Sequence, residues 1–272
     1  MHIDPEDLEY YAQCRREEEA GAAKRKERLR QGIRASFLRG EMVLALPAGK
    51  SLEKQTVALL GAAGIAVKRA HPRASLALLT GLPWCSRAAF CKPSDIPGLL
   101  SSGSLAVGIT GMDTVHEEQC GNRVGVCTEL NYNRMTRGHM RAVLFARADD
   151  SVRTMDDLTR KFSGRAAPMP VVSEYVNETK RFLMQHGMSG EVTETRGSSE
   201  VLVRLGVHRF GVTLVETGTT LRVNQLREIA TIFESTTVLI ANRHLLEMPE
   251  ASPAVADLSQ RLTAALERVV QS

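Results

Sequence analysis

The sequence predicts an α/β fold with mostly parallel sheets, because two patterns alternate along the chain. Short apolar runs such as Met42–Pro47 and Phe210–Val215 have the length and composition of buried strands. Segments with helical apolar spacing follow such runs, as at 52–63, where Gly64 is a typical helix stop. Strands that alternate with helices at this spacing usually form parallel sheets.

The same alternation continues to the end of the chain. Further strands are predicted at 66–69, 90–92, 105–110, 141–145, 171–173, 191–195 and 237–240. Further helices are predicted at 95–101, 154–162, 178–186, 198–205, 219–226 and 252–270. The length of 272 residues indicates one or two domains.

Residues 1–41 differ from the rest because they are dense in charge of both signs. The runs 15–19 and 24–28 consist entirely of charged residues, and the residues around them favour a helix with little apolar surface to bury. This segment is interpreted as a charged helical arm, which is either solvated or docked on a partner subunit. Its acidic residues argue against a role in nucleic-acid binding.

Composition excludes several classes of protein. A net charge of +4 and an aromatic content of 4% do not indicate a nucleic-acid surface. No apolar run reaches the roughly 18 residues of a membrane span, and the N-terminus lacks the apolar centre of a secretory signal. We therefore expect a cytoplasmic protein with no membrane partner. The five scattered cysteines are expected to be reduced thiols and not zinc ligands.

The segment Val212–Arg222 is the strongest candidate for a binding site. A buried strand leads through a small, hydroxyl-rich turn directly into a helix. Backbone N–H groups at such a helix start can hold a phosphate, and Gly218 allows the backbone to approach the ligand closely. The same residues would also serve as an ordinary helix cap, so the pattern alone leaves both interpretations open.

At this point the chain resembles a known family. Glu216–Arg222, with the sequence ETGTTLR, is similar to the phosphoribosyl pyrophosphate loop of ATP phosphoribosyltransferases. Other family motifs have counterparts in the same order, at 44–50 (LPKGR), 95–97 (DIP), 108–113 (GITGxD), 172–177 (ATxYPN), 197–206 (GxxE…LG) and 239–243 (LIANR). Each motif is weak alone, but their shared order makes the resemblance specific over about residues 42–270.

The resemblance implies a two-lobed fold like that of type II periplasmic binding proteins. The first lobe would combine 42–134 with 227–272, and the second would comprise 135–226 with the phosphoribosyl pyrophosphate loop. Ligands would lie in the cleft between the lobes. Because the chain stops after the helix that follows LIANR, it resembles the short family form. That form is expected to be a homo-oligomer that works with a regulatory subunit related to histidyl-tRNA synthetase.

The implied reaction joins N1 of the adenine of ATP to C1 of phosphoribosyl pyrophosphate and releases pyrophosphate, as the first step of histidine biosynthesis. The expected catalytic residues are Glu200, Glu216 and Lys50. The expected residues for phosphoribosyl pyrophosphate are Thr213, Glu216, Thr217, Gly218, Thr219 and Thr220. The expected residues for ATP or another acceptor are Lys50, Lys92, Thr110, Asp113, Arg141 and Tyr175. Mg²⁺ is expected to arrive on the substrate phosphates, with Glu200 as a candidate protein ligand, and Glu200 and Glu216 are both candidates for ribose hydroxyls or the metal.

Three departures from the family pattern leave alternatives open. Ala48 replaces one cation of the LPKGR turn, Thr213 replaces an acidic residue, and the segment 131–141 is longer than its GFGxCR counterpart. These changes fit a paralogue with another heteroaromatic acceptor, or a catalytically weak subunit. On the sequence alone, Thr213→Asp is expected to strengthen donor binding in a weakened enzyme and to be unfavourable in a paralogue.

Overall fold

The computed structural model describes residues 5–132, 139–165 and 167–270, which form two β-sheets flanked by helices. The strands are β1 (Met42–Pro47), β2 (Ala66–Arg69), β3 (Leu76–Thr80), β4 (Cys85–Cys91), β5 (Val107–Gly111), β6 (Val124–Glu129), β7 (Met140–Arg147), β8 (Met169–Ser173), β9 (Gly190–Glu194), β10 (Phe210–Val215), β11 (Leu226–Ser235) and β12 (Thr237–Asn242). The helices are α1 (Pro5–Leu38), α2 (Lys50–Ala62), α3 (Ile96–Ser102), α4 (Met112–Glu117), α5 (Met155–Phe162), α6 (Val176–Gln185), α7 (Ser199–Arg204), α8 (Thr219–Val223), α9 (Arg243–Leu246) and α10 (Ser252–Val270).

The α/β class is confirmed, but both sheets are mixed and not mostly parallel. The first sheet has the order β2-β3-β4-β1-β5-β12-β6, and the second has the order β11-β7-β10-β8-β9. In the first sheet β1 is parallel to β4 and β5, whereas β12 is antiparallel to both of its neighbours. The reason is that β12 enters from the edge at which β5 ends, since Thr237 pairs with Gly111.

Strand β11 is absent from the sequence interpretation, which ends a helix at 226 and assigns nothing before 237. The structure pairs Leu226–Ser235 with β7 in an antiparallel register that contains two irregularities. Such bulges break the simple alternation that identifies a strand in a sequence. The second sheet therefore continues to Ser235, beyond the expected lobe boundary at 226. The division into an arm and two lobes otherwise stays a prediction.

Helix α1 contributes to the core of the first sheet, contrary to the expectation that the arm has little to bury. Ile33 is only 5% exposed and belongs to the main apolar cluster, with Leu29 and Phe37 packed against it. The ring of Phe37 stacks on that of Trp84, with 5.9 Å between the centroids. These three arm residues recur every four positions, so they lie along one face of the helix. The C-terminal part of α1 is thus docked on its own chain.

One residue, Thr236, separates β11 from β12, so the two sheets share a nearly continuous ribbon. At the start of β12, the Thr237 N–H and hydroxyl both donate to the carbonyl of Tyr132, at 3.1 and 2.6 Å. Tyr132 also bonds through its own hydroxyl to Thr56, at 2.7 Å, and burial raises its pKa above the usual range. These contacts fix where the chain passes between the sheets.

Candidate functional site

The hydroxyl-rich loop lies between β10 and α8, as the sequence predicts. Strand β10 is held between β7 and β8, which places the loop at the end of a buried strand. Gly218 adopts φ +68° immediately before α8, a left-handed conformation that favours glycine. The hydroxyls of Thr217 and Thr219 lie 2.9 Å apart, and the Arg222 guanidinium donates to Thr219 at 3.2 Å. The loop thus presents hydroxyls and a nearby cation at a helix start.

A carboxylate from strand β11 lies directly against this loop. A Cβ atom at Gly218 would be 2.9 Å from Oε1 of Glu228. Glu228 is paired with Arg141, whose Nη1 and Nη2 donate to the two carboxylate oxygens at 2.9 and 3.3 Å. Arg141 Nη1 also donates to the Thr231 hydroxyl at 3.1 Å. The guanidinium therefore offsets the negative charge of Glu228 beside the loop.

Thr213 and Glu200 are brought together under the loop. The Thr213 hydroxyl donates to Oε1 of Glu200 at 3.1 Å, and the Ser199 hydroxyl donates to Oε2 at 3.2 Å. Thr213 is buried in β10, and Glu200 lies in the first turn of α7. Thr213, which stands where the family has an acidic residue, thus donates a hydrogen bond to Glu200, which the sequence predicts to be catalytic.

Asp113 and Tyr175, both expected at the acceptor side, meet between the two sheets. The Tyr175 hydroxyl donates to Oδ2 of Asp113 at 3.1 Å, and Ser235 donates to Oδ1 at 2.8 Å. The backbone N–H of Asp113 donates back to the Ser235 hydroxyl at 3.0 Å. Beside them lies a cavity of about 40 Å³, which is lined from both sheets by residues that include Pro93 and Leu214.

A second contact between the sheets involves Glu117 at the end of α4. Its carboxylate accepts from the backbone N–H groups of Asn177 and Glu178, at 3.0 and 3.2 Å, in the first turn of α6. The Asn177 side chain also donates to the Glu117 carbonyl at 2.9 Å. The Glu117 carboxylate of α4 thus caps α6, at the end of the motif that begins at Val172.

We expect the contribution of Glu117 to folding stability to fall as the pH rises. Burial raises the pKa of Glu117 above its ordinary 4.5, with nearby Glu178 acting in the same direction, although the backbone donors oppose both. A carboxyl whose pKa is raised by folding stabilises the fold fully below its unfolded pKa, and this stabilisation is lost as the pH passes the folded pKa. Thermal unfolding from pH 4.5 upward should therefore show the wild type losing stability relative to Glu117→Gln. Parallel pH profiles of the two proteins would contradict this.

The remaining predicted residues occupy different positions. Lys92 is exposed at the end of β4, next to Pro93 of the cavity lining. Thr110 is fully buried, and its hydroxyl donates to the Pro93 carbonyl at 2.8 Å and also bonds to Thr114. The Lys50 side chain lies outside the described part of the structure, as does 133–138 within the long segment that departs from the family pattern.

No ready-made metal cage is found among the described residues, where no three His, Cys, Asp or Glu side chains cluster for an ion. The four cysteines whose side chains are described are free thiols. Burial raises the pKa of Cys85 and of Cys127 to about 11, so both are protonated at neutral pH. No described helix has the length and apolar character needed to span a membrane.

Several residues of this region escape the sequence interpretation. Glu228 and Ser235 both lie on β11, the strand that the residue pattern of the sequence does not predict. Arg222 is the last residue of the loop motif at 216–222. Its positive charge, about one helical turn after Gly218, is the feature of the sequence that points to a role near the loop. Glu117 gave no signal, because its partner at Asn177 is 60 positions away in the chain.

Comparison with known proteins shows the family to which this chain is similar. The family model described as ATP phosphoribosyltransferase matches residues 92–264. An ATP phosphoribosyltransferase of Gemmatimonas aurantiaca is 33% identical over 84% of this chain and 73% of the relative. Another, from Methanothermobacter thermautotrophicus, is 34% identical over 74% of this chain, which spans less than two thirds (64%) of that relative.

Solved structures show the same fold. A chain from the ATP phosphoribosyl transferase (HisG:HisZ) complex of Thermotoga maritima aligns with a TM-score of 0.66 and 21% identity, covering 84% of this chain and all of that one. A histidine kinase sensor domain with similarity to periplasmic binding proteins aligns with a TM-score of 0.52 and 14% identity, covering 85% and 91% of the two chains. The predicted two-lobed class is therefore confirmed.

Proposed function

The chain belongs to the ATP phosphoribosyltransferase family, and from this premise we propose that it joins N1 of ATP to C1 of phosphoribosyl pyrophosphate with release of pyrophosphate. This reaction is the first step of histidine biosynthesis. The observation that carries the proposal is the loop at Gly218, where a left-handed glycine precedes a helix start surrounded by hydroxyls. Such a start can hold the 5-phosphate of the donor through backbone N–H groups.

The chemistry requires alignment more than proton removal. N1 of adenine already carries a lone pair, and the bond from C1 to pyrophosphate breaks as the new C–N bond forms. Positive charge then develops on the ribose and negative charge on the leaving group, so fixed dipoles and charges near each would lower the barrier. Thr217, Gly218, Thr219 and Thr220 would hold the phosphate. Glu200 and Glu216 would face the ribose and its developing charge.

Arg141 has an indirect role in this proposal. Oε1 of Glu228 lies 2.9 Å from the position that a Cβ atom would take at Gly218, and its charge there would repel a phosphate. The bidentate pair with Arg141 offsets that charge. Lys50 and Lys92 remain candidates for pyrophosphate or ATP phosphates, and Asp113 with Tyr175 for the acceptor side of the cleft.

The donor set fits Mg²⁺ that is carried by substrate phosphates. Mg²⁺ keeps several waters and needs one or two carboxylates besides phosphate oxygens, which Glu200 can provide in part. When bound, the ion would offset the charge of the departing pyrophosphate. Within the described residues, no carboxylate cluster offers the ion a site of its own.

Product analysis tests the proposed reaction directly. The protein is incubated with phosphoribosyl pyrophosphate, Mg²⁺ and ATP, and the products are identified by mass spectrometry together with a pyrophosphate assay. We expect phosphoribosyl-ATP and pyrophosphate in equal amounts. Parallel reactions with other heteroaromatic bases address a different acceptor, which the Thr213 and Ala48 departures allow. Turnover of another base without turnover of ATP would overturn the choice of acceptor.

Replacing Thr213 with aspartate is expected to reduce turnover, which reverses the expectation drawn from the sequence for a weakened enzyme. An ionised aspartate cannot donate to Glu200, and it adds a like charge next to a carboxylate that now receives a hydrogen bond at 3.1 Å. A hydrogen bond to a charged group contributes about 1.5–3 kcal/mol, so we expect at least a roughly tenfold lower kcat/KM. Thr213→Ser keeps the donor and is the matched control. Steady-state kinetics with an unchanged or faster aspartate variant would contradict this role.

We further propose that the chain forms an oligomer and works with a regulatory subunit related to histidyl-tRNA synthetase. The proposal is supported by the likeness to a chain from the HisG:HisZ complex. Histidine alone should leave the rate of the isolated chain unchanged, and adding the partner should both raise the rate and confer inhibition. Light scattering gives the mass of each assembly. Inhibition by histidine without a partner would contradict the proposal.

A further inference from the structure

A second cleft lies at the edge of the first sheet that is remote from the Gly218 loop. It has a volume of about 650 Å³ and is bounded by α1, the end of α3, the turn Gly121–Arg123 and α9. Strand β12 begins opposite Gly111, on the side where the sheets meet, and ends at Asn242, whose N–H bonds to Ala106 at 2.8 Å. The two regions therefore lie at opposite ends of β12.

Positive charge predominates in this remote cleft. Its lining includes the cations Arg25 and Lys26 of α1, Arg123 of the turn, and Arg243 at the start of α9. The one carboxylate in the lining, Glu247, lies 3.7 Å from Nδ1 of His244. In the part of the chain whose side chains are described, no ion pair joins a carboxylate to any of the four cations. Four unpaired cations around one cavity repel each other, and a bound anion would relieve that repulsion.

Two of the cations are already oriented for an anion. Arg243 donates through Nε to the Asn122 carbonyl at 3.2 Å, and Arg123 donates through Nε to the Cys120 carbonyl at 3.4 Å. Both guanidinium groups are thus anchored on the same short stretch of backbone. Their Nη groups form no hydrogen bond to any described residue, and such planar forks match the oxygen geometry of phosphate.

The pKa of His244, which also lines the cleft, is consistent with positive charge nearby. Burial lowers the pKa of His244, and the charges of Arg30 and Lys26 lower it further, against the opposing effect of Glu247. Serine and asparagine side chains complete the lining, at Ser101, Ser102, Asn122 and Asn242. A volume of 650 Å³ exceeds the needs of one phosphate and lies in the usual range for small-molecule sites.

We propose that this cleft binds a small polyanion with two or more phosphate groups. The anchored forks of Arg123 and Arg243 hold one phosphate, and Arg25 and Lys26 on α1 hold another. The site is separate from the proposed reaction cleft, because it lies at the other end of β12 and uses the arm, which the family motifs do not include. It does not depend on the proposed reaction.

Calorimetry with inorganic tripolyphosphate tests the proposal. Tripolyphosphate can also occupy the Gly218 loop, so all proteins carry Gly218→Val to suppress binding there. In this background we expect one remaining binding event, which Arg123→Ala/Arg243→Ala weakens at least tenfold. The matched control is Arg73→Ala/Arg87→Ala, which removes two exposed arginines elsewhere and gives the same net charge. Equal affinity of the two double variants would overturn the site.

Two further measurements keep the result independent of folding. Arg25→Ala/Lys26→Ala alters exposed positions of α1 and should also weaken binding several-fold, with an unchanged circular dichroism spectrum. Light scattering on each variant distinguishes a ligand site from a protein interface. A changed oligomer mass in Arg123→Ala/Arg243→Ala, with tripolyphosphate affinity equal to that of the control, would assign the cleft to a protein partner and overturn the proposal.

Discussion

Replacing Gly218 with valine is expected to lower kcat/KM for phosphoribosyl pyrophosphate at least about a hundredfold, the factor that corresponds to roughly 2.8 kcal/mol. At φ +68° a β-branched residue is strained, and its Cβ would meet Glu228 at 2.9 Å. The loop must then shift, and its N–H groups no longer converge on one phosphate. Steady-state kinetics and calorimetry with the donor give the rate and the affinity.

Gly164→Val is the control for Gly218→Val, because Gly164 has the same φ of +68° and nothing within 4 Å of its Cβ position. It introduces equal backbone strain between α5 and β8, outside the candidate site. We expect a modest loss of stability and unchanged donor binding. If both variants bind the donor as the wild type does, the Gly218 loop is not the phosphate site. If both lose binding equally, the effect belongs to strain alone.

Ile33→Ala is expected to lower the free energy of unfolding by about 2–5 kcal/mol, the usual range for removing a buried isoleucine side chain beyond Cβ. Ile33 is 5% exposed and packs in the core of the first sheet, from a helix that the sequence predicts to be either solvated or docked on a partner subunit. Because native proteins are stable by about 5–15 kcal/mol, this one change would remove a large share. Urea denaturation followed by circular dichroism measures it.

The exposed position Gln31 provides the control on the same helix. Its amide bonds to Glu27 at 2.9 Å on the outer face, so Gln31→Ala should change stability by less than about 0.5 kcal/mol. Deleting residues 1–38 would remove Ile33 and Phe37 together, so it tests folding as much as assembly. Equal unfolding curves for Ile33→Ala and Gln31→Ala would show that α1 is not docked as described.

The sequence predicts well what depends on local pattern. The strand and loop around Gly218 follow from an apolar run, a glycine and hydroxyl residues, all within eleven positions. Order and spacing of weak motifs then identify the family, and with it the two-lobed class. The helix predicted at 154–162 also depends on local pattern, and in the structure Thr154 caps α5 by accepting from the Asp157 N–H at 3.2 Å.

What the sequence does not predict depends on pairing between distant segments. The pairing of β11 with β7 is irregular in register, so the alternation of apolar and polar residues that would identify the strand is broken. Because the strand is not predicted, the positions of Glu228 and Ser235 are not predicted either. The sequence does not predict the docking of Ile33, because charged neighbours dominate α1. Three apolar residues spaced four positions apart are a weak signal of a buried helix face. The donation from Thr213 to Glu200 joins two elements, and the sequence identified each residue without their contact.

The position of β12 inside the first sheet, between β5 and β6, has a consequence for folding during synthesis. β12 is the last strand of the chain, yet it separates β5 from β6, and it is the one described strand that pairs with β6. The first sheet therefore cannot gain its last two strands, β12 and β6, until residue 242 has left the ribosome. The second sheet uses strands from 140 to 235 alone, so it has all its partners earlier. We expect the segment that is synthesised second to fold first, while the N-terminal strands wait for a partner from the end of the chain.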